Sequence, residues 1–93
     1  MIRSFRGKDA EAIWNRRYVK KLSAELAKVT YNKLALVNAA ESINDLRVPP
    51  GNRLEKLSGD RAGQYSVRVN DQWRLCFTWS ASGASNVELV DYH

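Results

Sequence analysis

Tyr65-Ser66-Val67-Arg68-Val69-Asn70-Asp71-Gln72-Trp73-Arg74-Leu75-Cys76-Phe77-Thr78-Trp79 is the stretch that decides how this chain folds. Both ends of it alternate with a period of two, the spacing at which side chains of an extended strand fall on opposite faces. The middle, Asn70-Asp71-Gln72, is turn chemistry, so the stretch predicts an antiparallel hairpin. Pairing Tyr65, Val67 and Val69 with Trp73, Leu75 and Phe77 makes one apolar face. Ser66, Arg68, Arg74 and Thr78 then share the other, which displays two arginines on adjacent strands. Guanidinium groups so placed can clamp a phosphate through paired N–H donors, although antiparallel sheets commonly carry a plain solvated face there.

Downstream, Ser80 to Ser85 with Gly83 reads as a second turn, and Asn86-Val87-Glu88-Leu89-Val90 as a final strand. Upstream, Val48-Pro49-Pro50-Gly51 interrupts any helix within residues 44–52. Before that break, the segment from about Leu22 to Ala40 has neither glycine nor proline and reads as the main helix. Leu22, Leu26, Val29, Leu36, Val37 and Ala40 fall within one broad face. Ser23 is a candidate N-cap without a completed capping box. Lys33 lands inside the apolar face and is expected to lay its stem over the core with its amine in water. Asp9 offers a cap to a shorter helix at Ala10-Glu11-Ala12-Ile13-Trp14, and Met1 to Phe5 reads as a first strand. The expected class is α+β, with an N-terminal strand and two helices packed on an antiparallel sheet, in a single domain spanning 1–93.

Composition narrows the partners. Fifteen Lys and Arg against ten Asp and Glu give a formal charge of +5 on 93 residues. That field attracts polyanions, nucleic acid first among them. No stretch approaches the roughly 20 apolar residues of a membrane helix. The first eight residues have charge without a following apolar run, unlike a signal peptide, so a cytoplasmic location without membrane association is expected. Cys76 is the one cysteine, read as a buried inert thiol in an apolar run. P-loop, dinucleotide-binding, nucleophile-elbow and metal-ligand patterns are absent, and no cofactor is expected.

The candidate chemistry collects at the end of the chain. His93 is the one histidine, preceded by Asp91 and Tyr92 and close behind Val90 of the final strand. Nearby carboxylates favour its protonated form, which suits a general acid. Cutting RNA without a metal needs a base for the 2′-hydroxyl, an acid for the leaving 5′-oxygen, and cations for the phosphorane. Glu55, Asp91, Tyr92 and His93 are the candidates for proton transfer. Arg53, Lys56, Arg61, Arg68 and Arg74 are the candidate cations.

The run from Leu57 to Phe77, which includes Gly59-Asp60-Arg61 and Trp73-Arg74, resembles the HigB group of the RelE/ParE toxin superfamily. So do the opening Met1-Ile2-Arg3-Ser4-Phe5 and the ending Val90-Asp91-Tyr92-His93, and the likeness extends over essentially the whole chain. The resemblance implies a compact RelE-like fold and metal-independent, ribosome-dependent cleavage of messenger RNA in the 70S decoding site. It also implies neutralisation by a helix-turn-helix antitoxin of the HigA kind, with operator DNA reached only through that antitoxin. On this resemblance, Asp91, Tyr92 and His93 match the family's C-terminal active-site triplet, and Arg74 its phosphate-binding arginine. Glu55 stands where the family often has a histidine, and Ser58 where a lysine is common, with Lys56 as a partial substitute for that charge. Two other readings share the fold: a gyrase-poisoning toxin of the ParE type, which would not need His93, and a weakly active toxin that mainly binds its antitoxin.

Overall fold

The computed structural model describes residues 1–92, and the expected hairpin forms its centre. Strands β2 (Gln64–Arg68) and β3 (Trp73–Ser80) pair antiparallel, with Tyr65 opposite Phe77, Val67 opposite Leu75 and Arg68 opposite Arg74. The Asn70 side-chain oxygen closes the turn by accepting from the backbone N–H groups of Gln72 and Trp73, each at 2.8 Å. A two-residue strand, β1 (Glu55–Lys56), pairs with β2 on one side, and β4 (Gly83–Asp91) pairs with β3 on the other. The order β1-β2-β3-β4 is antiparallel throughout. Met1 to Phe5 runs parallel to β4, bridging at Ile2–Ala84 and Phe5–Val87, so the expected first strand is present only as a short edge.

Gly83 makes that edge possible. Its φ of +122° lies where L side chains are strained, and a Cβ there would overlap the Met1 carbonyl oxygen. The same carbonyl accepts from Ala84 N–H at 2.9 Å, so the turn residue and the chain's first residue are fixed together.

Helix α1 covers Asp9–Trp14 and α2 covers Ala24–Ala39, close to the expected spans. Ser23 caps α2, its hydroxyl accepting from Leu26 N–H at 3.0 Å, whereas Lys8 rather than Asp9 stands at the α1 cap. The buried side of α2 is Thr30, Leu34 and Val37, against Val67, Leu75, Phe77, Val87 and Leu89 of the sheet and Ile13 of α1. Burying side chains of this size stabilises the fold by about 1.5–3 kcal/mol each. The expected face is therefore turned: Val37 lies in the core, but Leu36 is exposed and Leu26 and Val29 only flank it. Lys33 is half-buried: its amine donates to Asn52 Oδ1 at 2.7 Å, and burial, then the charge of Arg68, holds its pKa below the usual lysine range. Asn52 in turn donates to the Leu46 and Val48 carbonyls, tying α2 to the 3₁₀ turns Ile43–Arg47 and Pro50–Asn52.

Thr30 carries a buried hydroxyl without a hydrogen-bond partner among the described residues. Replacing that hydroxyl by a methyl removes an uncompensated polar group at little change in shape, so Thr30→Val is expected to stabilise the fold by about 1 kcal/mol. A lower midpoint in chemical denaturation would show that the hydroxyl is satisfied in solution.

One irregularity sets the phase of β4. Thr78 pairs with Ser85 but Cys76 with Glu88, so two residues, Asn86 and Val87, stand opposite Phe77. Asn86 adopts φ +54° and donates its N–H to Ser4 Oγ at 2.8 Å. The extra residue lets Ala84 and Val87, three apart, both face the core. Beyond it, Glu88 and Val90 share the far face with Cys76 and Arg74, and Tyr92 follows in the same phase. Among the described residues, no helix is long and apolar enough to cross a membrane.

Candidate active site

The sheet face away from the helices is not the open solvated surface that alternation alone implies. Ser66 and Cys76 are fully buried on it and Arg74 nearly so, beneath a cleft of about 600 Å³. Arg53, Glu55, Arg68, Asp71, Arg74 and Tyr92 are among its lining residues. Three separate segments meet there: the turn after Pro50 with β1, the β2–β3 hairpin, and the end of β4.

Arg74 is the centre of the site. Its Nε donates to Ser66 Oγ at 2.8 Å and its Nη2 to the Arg53 carbonyl at 2.5 Å. Its Nη1 lies 3.5 Å from a Glu55 carboxylate oxygen, and its guanidinium stands 5.8 Å from the centre of the Tyr92 ring. Two sides of the guanidinium are therefore spent on holding it in place, and Nη1 is the donor side that a second anion can reach. Glu55 arrives through β1: it pairs with Ser66, and Ser66 pairs with Cys76, next to Arg74. Its carboxylate remains more than half exposed. Arg53 adopts φ +44° and makes no ion pair among the described residues. Arg68 is paired with Asp71 at the rim.

Tyr92 closes the cleft from β4. Its backbone N–H donates to the Gln72 carbonyl at 2.7 Å, and its hydroxyl lies 3.8 Å from Cys76 Sγ. Burial, then the Cys76 contact, pushes the phenol above its usual range. Burial likewise pushes the Cys76 thiol up, against the opposing pull of Tyr92. Cys76 is thus buried, as expected of it, but beneath the cleft instead of within the apolar core.

The remaining candidates lie apart. Asp91 pairs with Trp73 on the opposite side of β4 and accepts from Gln72 Nε2 at 3.1 Å, off the cleft lining. Arg61 does not line the cleft: it donates to Gln64 at 3.1 Å and Glu88 at 3.2 Å, although its charge is felt at Cys76 and Tyr92. Lys56 is exposed, registered with Tyr65, and does not line the cleft. His93 lies outside the described residues. Sequence reading missed Asn70 and Asp71 as lining residues, and the burial of Ser66 and Cys76 on the same sheet face. The turn signal at Asn70-Asp71-Gln72 held the first pair; nothing local marked the second.

A short helix pair on an antiparallel sheet, with an arginine clamp beside a C-terminal tyrosine, defines a class of small basic α+β proteins. The YoeB–YefM complex from Staphylococcus aureus contains a chain of the same fold, with a TM-score of 0.64 at 19% identity over 100% of this chain and 98% of that one. Residues 3–93 match the family described as RelE-like toxin of type II toxin-antitoxin system HigB, and the chain belongs to that family. Toxin HigB-1 of Vibrio cholerae is 41% identical over 68 residues, 73% of this chain and 72% of its own length. Endoribonuclease HigB of Proteus vulgaris is 27% identical over 93 residues, 100% of each. The chain is a type II toxin of the HigB/RelE kind.

Proposed function

We propose that this toxin is a metal-independent endoribonuclease that cuts messenger RNA in the ribosomal A site and is neutralised by a HigA-like antitoxin. The observation that carries the reading is the meeting of Arg74, Glu55 and Tyr92 in one cleft at the end of β4, immediately before His93. The scissile phosphate docks on Arg74 Nη1, where it competes with Glu55 for the donor and frees that carboxylate. Glu55 then takes the 2′-hydroxyl proton, the 2′-oxygen attacks phosphorus, and His93 protonates the departing 5′-oxygen. A 2′,3′-cyclic phosphate and a 5′-hydroxyl result. Arg53 and Arg68 supply further positive charge, and Tyr92 supplies a wall and a protonated phenol. Asp91, Arg61 and Lys56 take supporting roles: Asp91 braces the strand end, while the other two shape the field around the cleft. The relatedness to a protein named for endoribonuclease activity supports the reaction class, and the YoeB–YefM pairing supports an antitoxin partner.

The test maps 5′ ends on a defined message, alone and on ribosomes. Cuts confined to ribosome-bound message, one A-site codon from a stalled position, are expected. Intact message together with inhibited gyrase supercoiling would overturn the reading in favour of the ParE-type activity. A second expectation concerns the base. Glu55→Gln is expected to slow single-turnover cleavage about 10²–10⁴-fold. Because the Tyr92 phenol is pushed above its usual range, no limb belonging to it is expected between pH 5 and 9. An unchanged rate for Glu55→Gln would remove it from the mechanism.

A further inference from the structure

The turn that carries one wall of the cleft is anchored by a polar side chain. From Arg47 to Arg53 every residue is exposed except Asn52, which is 1% exposed. Its chain neighbours Gly51 and Arg53 both line the cleft, while Asn52 itself is buried beneath them. Asn52 Nδ2 donates to the Leu46 carbonyl at 3.1 Å and to the Val48 carbonyl at 3.2 Å. Carbonyls accept and do not donate, so the amide nitrogen must face them and Oδ1 needs a donor from elsewhere. Among the described residues that donor is the Lys33 amine of α2, at 2.7 Å. A cation gains little at this place, because burial and then Arg68 hold Lys33 below the usual lysine range. What Asn52 takes from Lys33 is an N–H group. The other side of the turn reaches the groups of the cleft. Arg53 N–H donates to the Pro50 carbonyl at 3.1 Å, the Arg53 carbonyl accepts from Arg74 Nη2, and Glu55 follows two residues later.

We propose that Lys33 is a positioning residue for the cleft: its bond to Asn52 fixes the turn that sets Arg53 and Glu55 against Arg74. Lys33 does not line the cleft, so it acts on the reaction through Asn52 and not by touching RNA. The lever is short. Asn52 and Arg53 are adjacent, so a shift of the Asn52 peptide draws the Arg53 carbonyl away from Arg74 Nη2. The guanidinium then turns, and its Nη1 side no longer meets Glu55 squarely. Removing the Lys33 amine supplies the cause of such a shift, because a buried oxygen without a donor is unfavourable and moves toward water. The inference rests on the reading of the cleft as the place of RNA cleavage, and adds to it a residue of the helical layer.

The experiment compares single-turnover cleavage of a defined message on ribosomes by the intact toxin and its variants, well below their thermal midpoints. Lys33→Met is expected to lower the saturating rate about 10- to 100-fold, because small displacements in a catalytic constellation are costly. The toxin concentration that gives half the maximal rate is expected to stay within about twofold of wild type, since ground-state binding is untouched. Lys33→Arg keeps a donor on a long stem and is expected to recover most of the rate. Val37→Ala weakens the same helix from its core side and is expected to cut at the wild-type rate, which separates positioning from stability. Nitrogen-15 spectra of the free toxin supply a readout independent of activity. In Lys33→Met the Arg74 Nη signals are expected to exchange faster with water, while the Nε signal, held by Ser66, persists. Unchanged Arg74 signals would overturn the proposal, and so would a Lys33→Arg as slow as Lys33→Met. If the wild type cuts no message but Lys33→Met still frees the Arg74 Nη groups, the positioning link stands and the nuclease reading falls. If the wild type cuts message and Lys33→Met slows it no more than Val37→Ala, the nuclease reading stands and the positioning role falls.

Discussion

Arg74→Ala is expected to cost roughly 2–4 kcal/mol of folding stability and to lower cleavage about 10²–10³-fold. The stability loss follows from what the guanidinium holds. It donates to the fully buried Ser66 hydroxyl and to the Arg53 carbonyl, charge-assisted bonds of about 1.5–3 kcal/mol each. The sum overstates the effect, because removing the side chain also relieves the desolvation of a buried cation. Glu55 adds little, since its carboxylate is more than half exposed and the released charge is hydrated. The rate loss has a different origin. In the proposed mechanism Arg74 is the cation nearest the phosphorane, and its loss also removes the neighbour of the Tyr92 ring and unpins the turn carrying Arg53. Arg74→Lys separates the two effects: a lysine keeps the charge but cannot span Ser66, Arg53 and a phosphate together. It is expected to recover part of the stability and little of the rate. Urea unfolding and single-turnover cleavage check both numbers, and a fully active Arg74→Lys would show that charge alone suffices.

Gly83→Ala is expected to destabilise the fold by about 2–5 kcal/mol without touching any cleft residue. Two costs add: a non-glycine residue at φ +122°, and a Cβ that overlaps the Met1 carbonyl oxygen, where backbone must move. The chain can answer by releasing Met1 to Phe5 from β4. That gives up the bonds Ala84 N–H to Met1, Arg3 N–H to Ala84, Val87 N–H to Ser4 and Arg6 N–H to Val87, and uncovers Ala84 and Val87. Hydrogen exchange at the Ala84 amide reports the release directly. Native protection in a fully stable variant would mean that the edge tolerates the methyl group.

The hairpin was legible in the sequence because two short-range signals agree there: period-two alternation and the Asn70 turn. The helix was legible in extent but not in rotation. Sequence reading placed Leu36 beside Val37 on the core face and left Leu34 out, whereas packing against the sheet and α1 buries Thr30, Leu34 and Val37 and leaves Leu36 exposed. The site was half legible. Arg68 and Arg74 could be put on one face from alternation, and Tyr92 and Glu55 could be named, but their meeting depends on two long-range facts. One is the pairing of the two-residue β1, too short to leave a pattern; the other is the irregularity at Asn86 and Val87. That extra residue also decides which of Asp91 and Tyr92 turns toward the cleft. Burial of Ser66 and Cys76 on the polar face could not be read from strand alternation, because it depends on Arg74 bonding to Ser66 and on Tyr92 coming up beside Cys76.

The central claim is that the end of β4 is a catalytic terminus for RNA cleavage. Its most direct test is a time course of ribosomes carrying a 5′-labelled message, mixed with wild-type toxin or with His93→Gln. Wild type is expected to give discrete A-site cuts with 2′,3′-cyclic phosphate ends, and His93→Gln, folded and ribosome-bound, at least about a hundredfold less product. Equal cutting by the two proteins would contradict the account.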